Sequence, residues 1–117
     1  MPRLRVRVSL RWVLITVAVA EAAAGIVLLR SRAEGFRERA VYHAYEAGLF
    51  RIHARLWDQA VSEGCTEIPP DATPEEYAWG AARCRRRAAY EAALSAKYEH
   101  AATRPWLPVA ADPPAPD

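Results

Sequence analysis

The sequence predicts an all-α protein: an N-terminal transmembrane helix continuing into a long helix, an antiparallel helical hairpin, and an extended Pro-rich C-terminal tail. Three observations carry this. Trp12 to Leu29 is an eighteen-residue apolar run whose only ionisable side chain is Glu21. From Ser31 to Glu63 there is no proline, and apolar residues return at steps of three and four, the period of a helix face. Prolines then gather in two places, at Pro69-Pro70 and in the last fourteen residues, where they end a helix or exclude one.

The first element is a basic flank over residues 1–11, with Arg3, Arg5, Arg7 and Arg11, followed by the anchor over residues 12–30. A bilayer core of about 30 Å takes roughly 20 apolar helical residues, so the run is just long enough. The crowded arginines hold that end on the cytoplasmic side. Arg30, Arg32, Arg37 and Arg39 on the far side oppose this bias, so the expected orientation, N-terminus cytoplasmic and C-terminal domain extracytoplasmic, rests on the first four and the terminal amine. The competing reading is a secretory signal cut after Ala20, at the small-x-small exit Ala18-Val19-Ala20. The uncut signal-anchor is preferred: cutting there leaves a short apolar region before the site and exposes Ala22 to Leu29 after it. Glu21 falls near mid-membrane, where a carboxylate is costly unless paired, protonated or placed at a protein interface. With Ala18, Ala22 and Gly25 beside it, it is a candidate for helix contact within the bilayer. A lone protonated or snorkelling glutamate is the plainer reading.

Little chain remains for anything else. The 117 residues leave room for one small domain beyond the anchor. Residues 1–30 hold five of the sixteen basic residues and one of the fourteen acidic ones, which leaves 11 basic against 13 acidic beyond. A body with that balance lacks the global positive field of a nucleic-acid binder.

The hairpin is expected as helices over residues 31–63 and 74–103. The first carries Tyr42, Tyr45, Leu49, Ile52, Leu56 and Ala60 as its core stripe, widened by Phe36, His43, Phe50 and Trp57 at intervals of seven. Gly64 and the Pro-Pro pair stop it. Thr73, Pro74 and Glu76 form a capping-box signature that starts the second, with Glu75 and Glu76 at its positive end and Lys97 and His100 near its negative one. Alanine is so abundant there that Tyr77, Ala81, Cys84, Ala88, Ala92, Ser95 and Ala102 form only one of several possible stripes. Both helices run roughly 45 to 50 Å at 1.5 Å per residue, in the manner of a short coiled coil. Two helices bury little, so a partner or further copies are expected on the exposed part of the aromatic face, at Phe50 and Trp57.

In the tail, residues 104–117, five prolines favour a polyproline II-like strand, with Trp106, Leu107 and Val109 as its large apolar groups. They either fold back on the hairpin or dock in a partner's groove. The string Arg85 to Asp117, with RLRVRVSLRWVLI at the start, resembles small bacterial single-pass membrane proteins that join a basic N-terminal anchor to a K-Y-x-x-A-A-x-x-P-W-L-P-V segment and a D-P-P run. Lys97, Tyr98, Ala101, Ala102, Pro105, Trp106, Leu107, Pro108, Val109, Asp112, Pro113 and Pro114 match that pattern. Where the pattern has a proline before the aspartate this chain has Ala111, which leaves the tail one rigid residue short. The resemblance covers the two ends and not Ser31 to Thr73. It implies a membrane location and no particular activity.

No chemistry-bearing constellation emerges. His43 and His53 lie ten apart, about 15 Å along one helix, and neither cysteine has a close ligand neighbour, so no metal and no cofactor is expected. No nucleophile stands at a spacing that forces a base beside it, so catalysis is not expected. Cys65 and Cys84 can bridge if the domain is exported, for about 3 kcal/mol; otherwise Cys84 is a small buried residue and Cys65 an incidental loop thiol. Arg83, Arg85, Arg86 and Arg87 wrap the helix instead of forming one stripe and read as a solvated face balanced by Glu75, Glu76 and Glu91, with an anionic lipid or polymer tether as the alternative. The expected partners are therefore the lipid bilayer and either a second copy or a larger membrane protein, with nucleic acid disfavoured.

Overall fold

The computed structural model describes residues 9–63 and 72–117, which form two helices and an extended tail. Helix α1 spans Leu10–Glu63 without a break, 54 residues, and α2 spans Pro74–Thr103. The molecule is 93 Å long and 17 Å at its thinnest, and α1 at 1.5 Å per residue accounts for about 81 Å of that length. Gly64, Cys65 and the Pro69-Pro70 turn lie outside the described residues, as do Met1 to Val8.

The start of α2 follows its local chemistry. Thr73 is extended at φ −79° and its hydroxyl accepts from the Glu76 amide, while the Glu76 carboxylate accepts from the Thr73 amide at 2.6 Å, so two of the helix's orphan donors are satisfied reciprocally. At the other end Arg104 donates to the Ala101 carbonyl, and a turn closed by the Leu107 amide on the Arg104 carbonyl reverses the chain.

The two helices pack antiparallel along a strict three-four register. On α1 the seam is Ala33, Phe36, Ala40, His43, Ala47, Phe50, Ala54 and Trp57; on α2 it is Tyr77, Ala81, Cys84, Ala88, Glu91, Ser95, Tyr98 and Ala102. Trp57 packs on Tyr77, His43 bonds Glu91, and Phe36 stacks on Tyr98. Small layers thus alternate with large ones, and the alanine layers let the backbones come close. The Ser95 hydroxyl uses that closeness to donate to the Ala40 carbonyl at 2.9 Å, a buried bond across the seam. Gly80 shows the same limit near the far end: a methyl there would stand 3.0 Å from the Trp57 ring.

Of the stripe expected to form the core of α1, Ala60 is buried and Leu49 half-buried, but the other large side chains are not. Tyr42 and Tyr45 are 57 % and 64 % exposed, and Ile52 and Leu56 are exposed as well. The core uses the sevenfold aromatic file instead, interleaved with Ala33, Ala40, Ala47 and Ala54. The physical reason is space: one helix with two apolar stripes has one partner helix, and α2, lined with alanine, seats the stripe in which bulk alternates with a methyl group. On α2 the expected Ala92 gives way to Glu91 in the seam, because the carboxylate answers His43.

Among the described residues nothing packs against the apolar segment Leu10–Leu29. Every large side chain there is exposed, from Leu10 through Leu29, and the segment is long and apolar enough to cross a membrane. Thr16 satisfies its hydroxyl locally by donating to the Trp12 carbonyl at 2.8 Å.

Candidate functional site

Two features of the hairpin concentrate polar and aromatic groups: a charged layer inside the seam and the clasp that holds the tail. The layer begins with Glu91, 4 % exposed, which the helix carries into the interface. Its Oε2 lies 2.7 Å from His43 Nδ1 and its Oε1 accepts from Arg87 Nε at 3.1 Å. A carboxylate only accepts, so it places the imidazole proton on Nδ1. The His43 ring lies flat on Tyr98, 5.6 Å between centroids and 7° between planes, with Tyr42 edge-on beyond it. Among the described residues no buried side-chain nitrogen or oxygen lacks a partner.

The tail runs back along the hairpin. Arg32 reaches the Leu107 carbonyl at 3.3 Å, Val109 packs beside Phe36, Ala40 and Tyr98, and the Tyr90 hydroxyl donates to the Pro113 carbonyl at 2.8 Å. Asp112 is the centre of the clasp: its carboxylate accepts from Lys97 Nζ at 2.5 Å and from the Tyr98 hydroxyl at 2.7 Å, while the same ammonium donates to the Ala110 carbonyl. The contacts run down α2, from Asp112 beside Lys97 and Tyr98, through Pro113 beside Tyr90, to the Asp117 backbone beside Arg86.

These bonds shift the titration of both partners. Donation from Lys97, then from Tyr98, holds the Asp112 carboxyl below its usual range. The Tyr98 phenol is pushed up, first because its proton is held by Asp112 and next because burial disfavours the phenolate.

The residues singled out from the sequence are divided by this geometry. Val109 is half-buried against the core. Trp106 and Leu107 sit exposed on the turn at the end of α2. Phe50 and Trp57 are half-buried in the inner seam, Phe50 under the Arg87 guanidinium and Trp57 against Tyr77 and Gly80, so the exposed aromatic face lies elsewhere, at Tyr42 and Tyr45. Glu21 is exposed on the apolar segment. Cys84 is half-buried; Cys65 lies outside the described residues. The arginine cluster is dispersed by its partners: Arg85 pairs with Asp58, Arg86 reaches the Asp117 backbone, Arg87 pairs with Glu91 and Arg83 lies over Trp79. Glu76, expected to balance the cluster, is spent on its own cap.

A cleft of about 340 Å³ opens between Phe50, Trp57, Trp79, Arg83, Cys84 and Pro116, aromatic on its walls and basic at its rim. Among the described residues no three His, Cys, Asp or Glu side chains stand together as metal ligands. The sequence signal that could have found the true seam is the alanine file Ala33, Ala40, Ala47, Ala54, seven apart and offset by three from the aromatic file. Comparison with protein-family models, curated proteins and solved structures gives no match.

Proposed function

We propose that this chain is a membrane-anchored, non-enzymatic stalk of the bacterial envelope, with its N-terminus in the cytoplasm and its hairpin outside, where the hairpin makes protein contacts. The observation that carries the reading is the continuity of α1: an apolar half with nothing packed on it runs, as one helix, into a half that is packed along its length. The exposed side chains of Leu10 to Leu29 need a covering that the hairpin does not supply, and a bilayer core supplies it.

Two tryptophans support the placement. Trp12 stands at the start of the apolar segment, and Trp106 lies on the turn whose Leu107 carbonyl meets Arg32, just past its end. Residues 12 and 32 of one helix are about 30 Å apart, the thickness of the hydrocarbon core, and tryptophan favours both of its boundaries. The sequence resemblance to single-pass proteins points the same way.

Membrane fractionation followed by alkaline carbonate extraction tests the anchor, and protease added to spheroplasts tests the orientation. Retention in the pellet with loss of the hairpin to outside protease is expected. Recovery of a soluble chain beginning at Glu21 refutes the anchor, and a protected hairpin refutes the orientation.

A further inference from the structure

Helix α1 carries a second seam on the side opposite α2. Leu14, Val17, Glu21, Ala24, Leu28, Ser31, Gly35, Glu38, Tyr42, Tyr45, Leu49, Ile52 and Leu56 follow one another at alternating steps of three and four with no interruption. Each is displaced by two positions from the inner seam, about 200° around the helix, so α2 and this stripe cannot share a face. From Tyr42 to Leu56 the stripe is apolar and, but for half-buried Leu49, exposed.

We infer that this outer seam is the contact surface for a second copy of the same chain, in a parallel pair that runs from the membrane to the upper hairpin. The inference rests on the anchored reading, because copies fixed in one bilayer by the same helix stand in the same direction. A three-four apolar repeat is the pattern by which parallel helices pair. Orientation also fits the flanking charges. In a parallel pair built on this seam, the position before one seam residue meets the position five further on in the other copy, which sets Glu34 against Arg39 of the second chain. The next such pairs are Val41 with Glu46, Gly48 with His53 and Arg55 with Ala60, none of them like-charged.

The area is sufficient. Val41, Tyr42, Tyr45, Ile52 and Leu56 together expose about 600 Å² on ordinary side-chain areas, so two copies sharing the face remove on the order of 1,000 Å² from water, the scale of a specific interface. Nearer the membrane Gly35, Ser31 and Ala24 on the seam are small, with Leu28 between the last two, and small residues permit close approach. Glu38 and Glu21, the two ionisable residues on the stripe, meet their own counterparts in such a pair and cost affinity at those layers, so the apolar layers from Tyr42 to Leu56 carry the contact.

The test uses the full-length chain carrying Cys65→Ser and Cys84→Ala, reconstituted in phosphatidylcholine–phosphatidylglycerol vesicles, with flotation and circular dichroism confirming insertion and helix content. Single cysteines are introduced at the seam by Tyr45→Cys or Ile52→Cys, and at exposed positions off it by Ala44→Cys or Arg51→Cys, then oxidised with copper phenanthroline. At least tenfold more disulfide dimer from the seam positions is expected, and Tyr45→Lys with Ile52→Lys is expected to convert dimer to monomer at unchanged helix content. Equal yields at all four positions, or a double lysine variant that stays dimeric, overturns the pairing. So does a monomer whose seam cysteines resist a water-soluble maleimide, which would assign the face to the lipid surface. A chain that fails to float refutes the anchor instead, so the two readings fail separately.

Discussion

The Tyr98 hydroxyl donates to Asp112 Oδ2 at 2.7 Å, joining the buried inner face of α2 to a residue of the tail fourteen positions further on. Lys97 Nζ holds the other carboxylate oxygen. Two adjacent residues of one helix therefore grip a single acid of a chain that has no regular hydrogen bonding of its own.

Asp112→Asn should loosen the tail. The carboxylate is 39 % exposed, so after solvent screening the loss is about 1 kcal/mol. Amide NMR signals of Ala110 and Ala111 in micelles should narrow, and the Tyr98 absorbance titration should move down toward the ordinary phenol value of 10.0 because the acceptor holding its proton as a carboxylate is gone. An unchanged Tyr98 titration would contradict the clasp.

The same pair fixes the pH range of the tail contact. The Asp112 carboxyl is lowered in the folded chain, so its contribution is complete above the ordinary value of 3.8 and disappears as pH falls through the lower folded value. Tyr98 is raised, so its contribution is complete below pH 10.0 and disappears as pH rises through the higher folded value. Tail order followed by NMR against pH should form a plateau between those limits, and a midpoint near neutrality would contradict the assignment.

Glu91 makes a different prediction, because it is buried with two partners. His43→Leu leaves the carboxylate with Arg87 alone and should cost about 1–3 kcal/mol. His43→Leu combined with Glu91→Leu removes the buried acid and should recover a large part of that loss. Thermal unfolding of both single variants and the double one in detergent gives the coupling, and additivity would show that the 2.7 Å contact carries no energy.

Two glycines of the helices should respond in opposite senses to alanine. At Gly48 an added methyl would find nothing within 4 Å, so Gly48→Ala should gain about 0.5–1 kcal/mol from helix propensity. At Gly80 the methyl meets the Trp57 ring at 3.0 Å, and Gly80→Ala should lose about 1–3 kcal/mol by pushing the helices apart. Melting temperatures that move together would refute the packing described for Trp57.

Ala47 and Ala44 form a similar contrast on one turn of α1. Ala47 is buried at a small layer of the seam and Ala44 is exposed. Ala47→Leu should destabilise the hairpin by about 1–3 kcal/mol, while Ala44→Leu should fall within about 0.5 kcal/mol of the parent, as read from unfolding curves.

Much of the fold was legible because its signals are local. Thr73, Pro74 and Glu76 specify a helix start within four residues, and prolines mark the ends without reference to anything distant. The choice of face was not legible in the same way. Ile52 and Leu56 are larger and more apolar than alanine, yet Ala40, Ala47 and Ala54 are buried and those two are not, since what decides is the shape of the partner and α2 offers methyl groups. Glu91 looked like a surface acid because its reason for burial, His43, lies 48 residues away. The return of the tail to the hairpin was one of the two expected outcomes, but its exact place was not legible, since its contacts run through single side chains such as Lys97 and Tyr90.

The 54-residue continuity of α1 has a mechanical consequence. No proline interrupts it, and Gly25, Gly35 and Gly48 all sit within regular helix, so the rod has no built-in joint between the apolar segment and the upper hairpin. A sideways load or torque applied near Trp57 is delivered, with little lost to bending, to the level of Glu21.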